Sequence, residues 1–133
     1  MYVIMAQDHW QVDEQHYSRG RISVERIALT GGTGHEAHFR LCSSGSATLG
    51  VDYNFILSPY AGPLSQTGNC LIAKFPARWN RVYVYIAPVA DSIDEPNETI
   101  IITLSQDSNN PFPSGYMLPS HYTIARLALI DND

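Results

Sequence analysis

Short stretches in which hydrophobic and polar residues alternate recur along this 133-residue chain, whereas helical periodicity is nearly absent. Alternation with a period of two places successive side chains on opposite faces of a β-strand. In the clearest stretch, Val82, Val84 and Ile86 share one face, which predicts that this face points into the core. The alternating stretches are residues 2–12, 20–29, 36–42, 70–75, 81–86, 99–104 and 122–130.

Segments rich in Gly, Pro, Ser and Asn separate these stretches, as is typical of an all-β chain. Seven short strands with this spacing predict a seven-stranded antiparallel β-sandwich of immunoglobulin-like architecture, because one flat sheet would leave a hydrophobic face in water. Two longer connections are expected, at residues 54–69 and 106–121. The length suits a single domain spanning residues 1–133, which we expect to be excised from a larger multidomain protein.

Composition narrows the partners that such a domain would have. The chain is 44% hydrophobic and 16% charged, which supports a folded core. Its formal net charge is −5, so we expect no nucleic-acid partner and favour a cationic one. No hydrophobic run is long enough to cross a bilayer, and no signal peptide is recognisable. Cys42 and Cys70 either form a disulfide or remain free thiols, and the sequence leaves both alternatives open.

Most acidic residues fall at the ends of the predicted strands. Alternate loops of an antiparallel sandwich share one end, so Glu14, Asp52 and the acids of 91–98 and 131–133 can face the same pole. Like charges held close together repel, and a hard divalent cation relieves the repulsion. Calcium accepts six to eight oxygen ligands in irregular geometry, whereas zinc favours His and Cys. The alternative is that these acidic turns are solvated surface.

Three segments resemble hallmarks of the Calx-beta domain family, and they occur in the order found in that family. They are residues 45–53 (GSATLGVDY), 91–99 (DSIDEPNET) and 130–133 (IDND), within a resemblance that spans about residues 10–133. The resemblance implies a β-sandwich that binds calcium, as in the sensor domains of sodium–calcium exchangers. It also implies a repeat module, since the family occurs in adhesion proteins and bacterial surface proteins.

The same resemblance implies a set of metal ligands. Glu14 resembles the first-strand glutamate, Asp52 resembles the acid of the Asp-Tyr pair, and Ile93 would offer its carbonyl oxygen. Ala90 stands where the family members richest in calcium ligands have an aspartate, and Asn132 replaces an acid. We therefore expect this chain to bind only one or two calcium ions, or to bind calcium more weakly than those members. The implied metal ligands are Glu14, Asp52, Asp91, Ile93, Glu95, Glu98, Asp131, Asn132 and Asp133.

A row of aromatic residues suggests an alternative function. Trp79, Arg81, Tyr83 and Tyr85 share the parity opposite to the predicted core positions. Aromatic rings beside an arginine can bind a glycan or a protein partner, which would make the chain a recognition (adhesion) module with calcium structural or absent. The competing interpretation is that a strand, a loop or a neighbouring domain covers these rings. If the 81–86 strand runs toward the acidic end, Trp79 lies at the opposite end.

No nucleophile has a recognisable base partner in a catalytic motif, so we expect no enzymatic activity. His35 and His38 would face opposite sides of a strand and do not predict a zinc site. The expected function is therefore a calcium-binding module of an extracellular or cell-surface protein that stiffens or regulates junctions with neighbouring domains. A plain spacer repeat without a ligand is the remaining alternative.

Overall fold

The computed structural model describes residues 2–9, 11–13, 19–27, 35–89, 96–109 and 123–130. Within these ranges the chain is all-β, as predicted, and contains no helix, so none is long and apolar enough to span a membrane. The strands are β1 (Tyr2–His9), β2 (Gln11–Asp13), β3 (Gly20–Ile27), β4 (Ala37–Ser44), β5 (Tyr53–Leu57), β6 (Ser65–Thr67), β7 (Cys70–Phe75), β8 (Arg81–Pro88), β9 (Glu98–Ser105) and β10 (Ile124–Ile130).

The strands form two sheets that pack as a sandwich. One sheet has four strands in the order β1-β3-β8-β5, and the other has six in the order β2-β10-β9-β4-β7-β6. The pairings are antiparallel except that β2 runs parallel to β10. The predicted immunoglobulin-like sandwich is confirmed, since both sheets bury one face against the other.

The predicted number of seven strands is wrong, because the described residues form ten. The stretch 2–12 was expected to be one strand, but β1 belongs to the four-stranded sheet and β2 to the six-stranded sheet. Residues 54–69 were expected to be a connection, yet they contain most of β5 and all of β6. The three residues of β6 are all exposed, so no burial pattern marks them in the sequence.

Side chains that alternate along the strands fill the space between the sheets. Val82, Val84 and Ile86 are at most 2% exposed, as their shared face predicts. Burying each side chain of this size stabilises the fold by roughly 1.5–3 kcal/mol. The same alternation buries the predicted inward residues of the last two strands: Ile100, Ile102, Leu104, Leu127 and Leu129.

A buried arginine joins the end of β3 to two other segments. Arg26 is 2% exposed, and its guanidinium donates hydrogen bonds to the carbonyl oxygens of Trp79 (2.6 Å), His35 (2.6 Å) and Pro76 (3.0 Å). Its Cζ also lies 5.0 Å from the centroid of the Phe75 ring. A buried charge is tolerated only when hydrogen bonds replace its hydration, and the planar fork of arginine reaches several carbonyls at once.

Cys42 and Cys70 form a disulfide, which settles the alternative that the sequence left open. The two residues lie directly opposite each other on the antiparallel strands β4 and β7, with 4.0 Å between their Cα atoms. The bridge closes a loop with a sequence separation of 28 residues. Restricting a loop of this length in the unfolded chain stabilises the fold by about 3.5 kcal/mol in the chain-entropy treatment.

We predict that the double variant Cys42→Ala/Cys70→Ala unfolds with a free energy about 3.5 kcal/mol lower than that of the oxidised protein, because its unfolded chain is no longer constrained. Urea titration followed by tryptophan fluorescence measures this difference. Reducing the disulfide of the wild-type protein should lower the free energy of unfolding by a similar amount, which appears as a lower urea midpoint. An unchanged midpoint after reduction would contradict a stabilising bridge.

We also predict that Arg26→Lys lowers the free energy of unfolding by about 2 kcal/mol. The ammonium keeps the charge but cannot span three carbonyl oxygens in different segments, so buried acceptors lose their donors. Thermal and urea unfolding check this expectation. Arg40→Lys serves as the control, since Arg40 is only partly buried and the change should be within about 0.5 kcal/mol. Equal effects of the two substitutions would show that Arg26 has no special role.

Candidate functional site

Strand ends from both sheets meet at one end of the sandwich. In the six-stranded sheet, Asp13 at the end of β2 pairs with Ile130 at the end of β10. Glu98 at the start of β9 pairs with Leu129 of β10. We call this end the acidic pole and define it by Asp13, loop 45–52, Val89, Glu98 and Ile130.

Loop 45–52 crosses at the acidic pole from β4 in one sheet to β5 in the other. The Ala47 N–H donates to the Thr99 carbonyl oxygen (3.0 Å), and the Thr99 N–H donates to Ser46 Oγ (2.9 Å). Gly45 adopts a φ of +105°, and a Cβ at this position would lie 2.5 Å from the Thr99 carbonyl oxygen. Only glycine allows the loop to approach β9 this closely.

Asp52 fixes the other end of this loop. Its carbonyl oxygen accepts a hydrogen bond from the Val89 N–H (2.9 Å), which joins the loop to the segment after β8. Its carboxylate oxygen Oδ2 accepts a hydrogen bond from the Thr48 N–H (2.7 Å). Side-chain oxygens of Asp commonly accept from nearby backbone groups and stabilise turns in this way. Tyr53, the next residue, begins β5 and pairs with Pro88 at the end of β8.

Asp52 as a residue is 8% exposed, and no lysine, arginine or histidine of the described residues forms an ion pair with its carboxylate. Glu98, half-buried at the same pole, likewise has no cationic partner in that part of the chain. A buried carboxylate needs compensating positive charge or several donors, and Asp52 has one backbone donor among the residues described. These oxygens are the ligand type that calcium prefers, so both residues fit a calcium site.

Tyr53, the residue after Asp52, has a buried polar group without a hydrogen-bond partner in the described part of the chain. Its side chain is fully buried, and its hydroxyl has no hydrogen-bond partner among the described residues. Burial raises the pKa of this hydroxyl, the nearby Ser43 hydroxyl lowers it, and the charge of Asp52 raises it further. Ser43 Oγ donates to the Asn69 carbonyl oxygen at 3.3 Å. The core beside Asp52 therefore contains one buried side-chain group, the Tyr53 hydroxyl, that has no hydrogen-bond partner among the described residues.

The structure brings Asp52 and Glu98 to the same pole, as the sequence predicts. The other proposed metal ligands lie outside the described residues: Glu14, Asp91, Ile93, Glu95, Asp131, Asn132 and Asp133. Ala90, whose substitution was expected to thin the site, also lies outside them. Within the described ranges, no group of three or more His, Cys, Asp or Glu side chains is placed to hold a metal ion. The set of calcium ligands therefore remains a prediction.

The predicted aromatic row lines a pocket on the outer face of the four-stranded sheet. Trp79, Arg81, Tyr83 and Tyr85 all contribute to a concavity of about 360 Å³. The remaining lining residues are Arg19, Ile56, Leu57, Ser58 and Val82. We call this concavity the aromatic pocket.

Neighbouring side chains cover the rings of the aromatic pocket only in part. Trp79 is 38% exposed, and its ring centroid lies 6.0 Å from that of Tyr60. Arg21 Cζ lies 4.7 Å from the centroid of the Tyr83 ring. Because β8 begins at Arg81 and ends at the acidic pole, Trp79 lies at the opposite end, as predicted.

A second, polar pocket of about 330 Å³ lies at the far end of the six-stranded sheet. Asp107, which contributes to its lining, is 7% exposed and accepts a hydrogen bond from the Asn109 N–H (3.1 Å). Its Oδ2 lies 3.7 Å from Nδ1 of His38. Sequence reasoning missed this pocket and also missed Arg19 as part of the aromatic pocket, because neither position belongs to a recognisable motif.

Solved structures with the same fold include calcium-binding domains. The chain is similar to CBD12 from CALX1.2, with a TM-score of 0.65 and 20% identity over 100% of this chain and 46% of that chain. It is similar to the apo-form Calx CBD1 domain, with a TM-score of 0.61 and 20% identity over the whole of both chains. The calcium binding domain CBD12 of CALX1.1 gives a TM-score of 0.62 and 21% identity over 97% of this chain and 44% of that chain.

These likenesses establish the fold as that of the Calx calcium-binding domains, an immunoglobulin-like β-sandwich. The resemblance to Calx-beta domains noted in the sequence is confirmed at the level of the fold. The chain spans less than half the length of the two CBD12 chains. No protein-family model and no curated protein matches the chain.

Proposed function

We propose that the chain is a calcium-binding module of a larger extracellular or cell-surface protein, where it stiffens or regulates junctions with neighbouring domains. The observation that carries the proposal is Asp52, a residue that is 8% exposed and whose carboxylate has no cationic partner in the described part of the chain. Folding a carboxylate into this position without compensation is unfavourable, and a divalent cation would remove the penalty.

The topology supports a shared site for the remaining ligands. Segments 14–18, 90–95 and 131–133 follow β2, β8 and β10, whose last residues lie at the acidic pole. The ligands proposed in these segments are Glu14, Asp91, Ile93, Glu95, Asp131, Asn132 and Asp133, in addition to Asp52 and Glu98. When bound, calcium would neutralise these carboxylates, and Asp52 would orient loop 45–52 toward the ion through its hydrogen bond with Thr48.

The proposed role at a junction follows from the position of β10. This strand ends at Ile130 of the acidic pole, and Asp131, Asn132 and Asp133 come next in the chain. An ion held there would restrict the direction in which a following domain leaves the sandwich. The Cys42–Cys70 disulfide supports an oxidising compartment, in agreement with an extracellular or cell-surface location. This role is binding, not catalysis.

A second candidate function is recognition of a glycan or protein ligand by the aromatic pocket, with calcium structural or absent. The specific observation that favours it is the pocket of about 360 Å³ lined by Trp79, Arg81, Tyr83 and Tyr85. This volume is within the range of small-ligand sites. The pocket is lined by β8 residues up to Tyr85, whereas β8 reaches the acidic pole at Pro88, so one candidate does not exclude the other.

We predict that calcium raises the melting temperature of metal-stripped protein. At a calcium concentration a hundredfold above the dissociation constant, binding adds about 2.7 kcal/mol, which corresponds to roughly 10 °C for a domain of this size. Differential scanning calorimetry measures the shift in melting temperature, and isothermal titration calorimetry measures the dissociation constant for calcium. Magnesium at equal concentration is the control, and it should give a smaller shift because it demands a stricter octahedral geometry. Equal melting temperatures with calcium and with chelator would reject the proposed function.

We predict that Asp52→Asn reduces the calcium-induced shift by at least half. The amide oxygen can still accept the hydrogen bond from Thr48, so the substitution removes charge while the loop can keep its conformation. Without calcium the variant should be at least as stable as the wild-type protein, because an uncompensated buried charge is lost.

Asp107→Asn is a matched control for this substitution. Asp107 is also buried and also accepts a backbone hydrogen bond, but it follows β9 at the end of the sandwich remote from the acidic pole. Its calcium-induced shift should equal that of the wild-type protein. If both variants lost the shift equally, the effect would be a general loss of charge and Asp52 would not be a ligand.

A further inference from the structure

The aromatic pocket lies where one strand of the four-stranded sheet stops short of its neighbour. β5 pairs with β8 from Tyr53 opposite Pro88 to Leu57 opposite Val84. Residues 81–83 of β8 therefore have β3 on one side and, among the described residues, no strand on the other. The chain leaves the sheet at Ser58, and the pocket occupies the resulting gap.

Backbone groups of β8 face this gap. The Asn80 carbonyl accepts a hydrogen bond from the Arg26 N–H, so the backbone of Asn80 points toward β3. Backbone groups along a strand alternate between its two sides. Arg81 and Tyr83 consequently direct their backbone groups toward this side of β8, and those of Arg81 lie beyond the last residue of β5.

The aromatic rings around the gap differ in how far neighbouring side chains cover their faces. Tyr83 is flanked by Arg21 and Arg81, whose Cζ atoms lie 4.7 and 5.9 Å from its ring centroid. The ring planes of Trp79 and Tyr60 are tilted by 58°, so these two rings do not stack face to face. Trp79 and Tyr85 are therefore the rings with faces available for stacking on a flat, partly apolar ligand.

The charge of the lining is positive although the chain as a whole has a formal net charge of −5. The described lining contains two arginines and neither Asp nor Glu. Arg81 is partly compensated, because its Nε lies 2.8 Å from Glu25 Oε1 and its Nη1 donates to the Tyr83 hydroxyl (3.2 Å). Arg19 is exposed and forms no ion pair with the described residues, so it is the guanidinium available to an anion.

We infer that the aromatic pocket binds an acidic oligosaccharide, with one sugar ring stacked on Tyr85 and its carboxylate paired with Arg19, and another sugar ring stacked on Trp79. The inference rests on the second candidate function and is independent of calcium. The backbone groups of Arg81 and the Ser58 hydroxyl would meet the sugar hydroxyls. An aliphatic group would leave these polar groups and the guanidinium of Arg19 desolvated without partners, which disfavours it. A guanidinium fork matches a carboxylate in geometry and charge.

The test is titration of the complete chain with oligogalacturonate, monitored by calorimetry in the presence of chelator. Chelator is essential because calcium could bridge the same saccharide to the acidic pole. We expect binding that weakens as sodium chloride rises from 50 to 300 mM, since an ion pair contributes. The matched neutral probe is an oligosaccharide of galactose, which should bind at least about tenfold more weakly, as expected for loss of a charged hydrogen bond.

Variants locate the site. Trp79→Ala should weaken binding about fivefold and Trp79→Phe less, because stacking is lost or reduced. Arg19→Ala should weaken binding about tenfold, whereas the control Arg40→Ala, which removes an arginine outside the pocket, should leave it unchanged. Melting temperatures of the variants confirm that each one is folded.

The results of these titrations distinguish a failure of the acidic-saccharide inference from a failure of ligand recognition at the aromatic pocket. Equal affinity for the charged and neutral saccharides would overturn the acidic ligand but keep saccharide recognition at the pocket. Binding that requires calcium and survives the Trp79 and Arg19 substitutions would assign the saccharide to the acidic pole and overturn the inference. Binding of unrelated peptides, but of neither saccharide, would also overturn it and would favour protein recognition. No binding of any probe would overturn both.

Discussion

The contact between loop 45–52 and Thr99 is the constraint on which the acidic pole depends. This loop carries the chain from one sheet to the other, and it is held to β9 by hydrogen bonds of Ala47 and Ser46 with Thr99. A side chain at Gly45 would collide with the Thr99 carbonyl oxygen. The close crossing fixes β4, β9 and β5 relative to one another and thereby sets where Asp52 lies. The glycine at position 45 thus permits the crossing that carries the chain to Asp52.

The two ends of the sandwich solve the problem of buried charge in opposite ways. At the end opposite the acidic pole, the Arg26 guanidinium is satisfied by carbonyl oxygens of the chain itself, at 2.6–3.0 Å. At the acidic pole, the described residues give Asp52 one backbone donor and no cation. A charge satisfied by the fold contributes to stability under all conditions. In the proposed calcium site an ion would supply the compensation that the described residues do not give Asp52, and this difference underlies the functional interpretation of the acidic pole.

Sequence reasoning succeeded where the physical cause is local. The alternation of Val82, Val84 and Ile86 follows from the geometry of one strand, and the fold follows from repeating that pattern. It failed where the cause is non-local: the change of sheet between β1 and β2, and the short exposed strand β6, leave no local pattern. The shared pole of Asp52 and Glu98 followed from the topology of an antiparallel sandwich, whose alternate loops lie at one end. The Arg26 contacts and the disulfide depend on register between distant strands, which a single sequence does not reveal.

The aromatic pocket and the acidic pole are joined by β8, whose eight residues run from one to the other. At about 3.4 Å per residue, Arg81 lies roughly 24 Å from Pro88 at the acidic pole, and Tyr85 lies roughly 10 Å from it. β8 is paired with β3 along most of its length, and its inner face is packed in the core, so the described strand has one arrangement available to it. Energetic coupling between two sites requires an element with two alternative states. A well-packed connecting strand instead favours independence of the two proposed sites, so that a ligand bound at one would leave the affinity of the other unchanged.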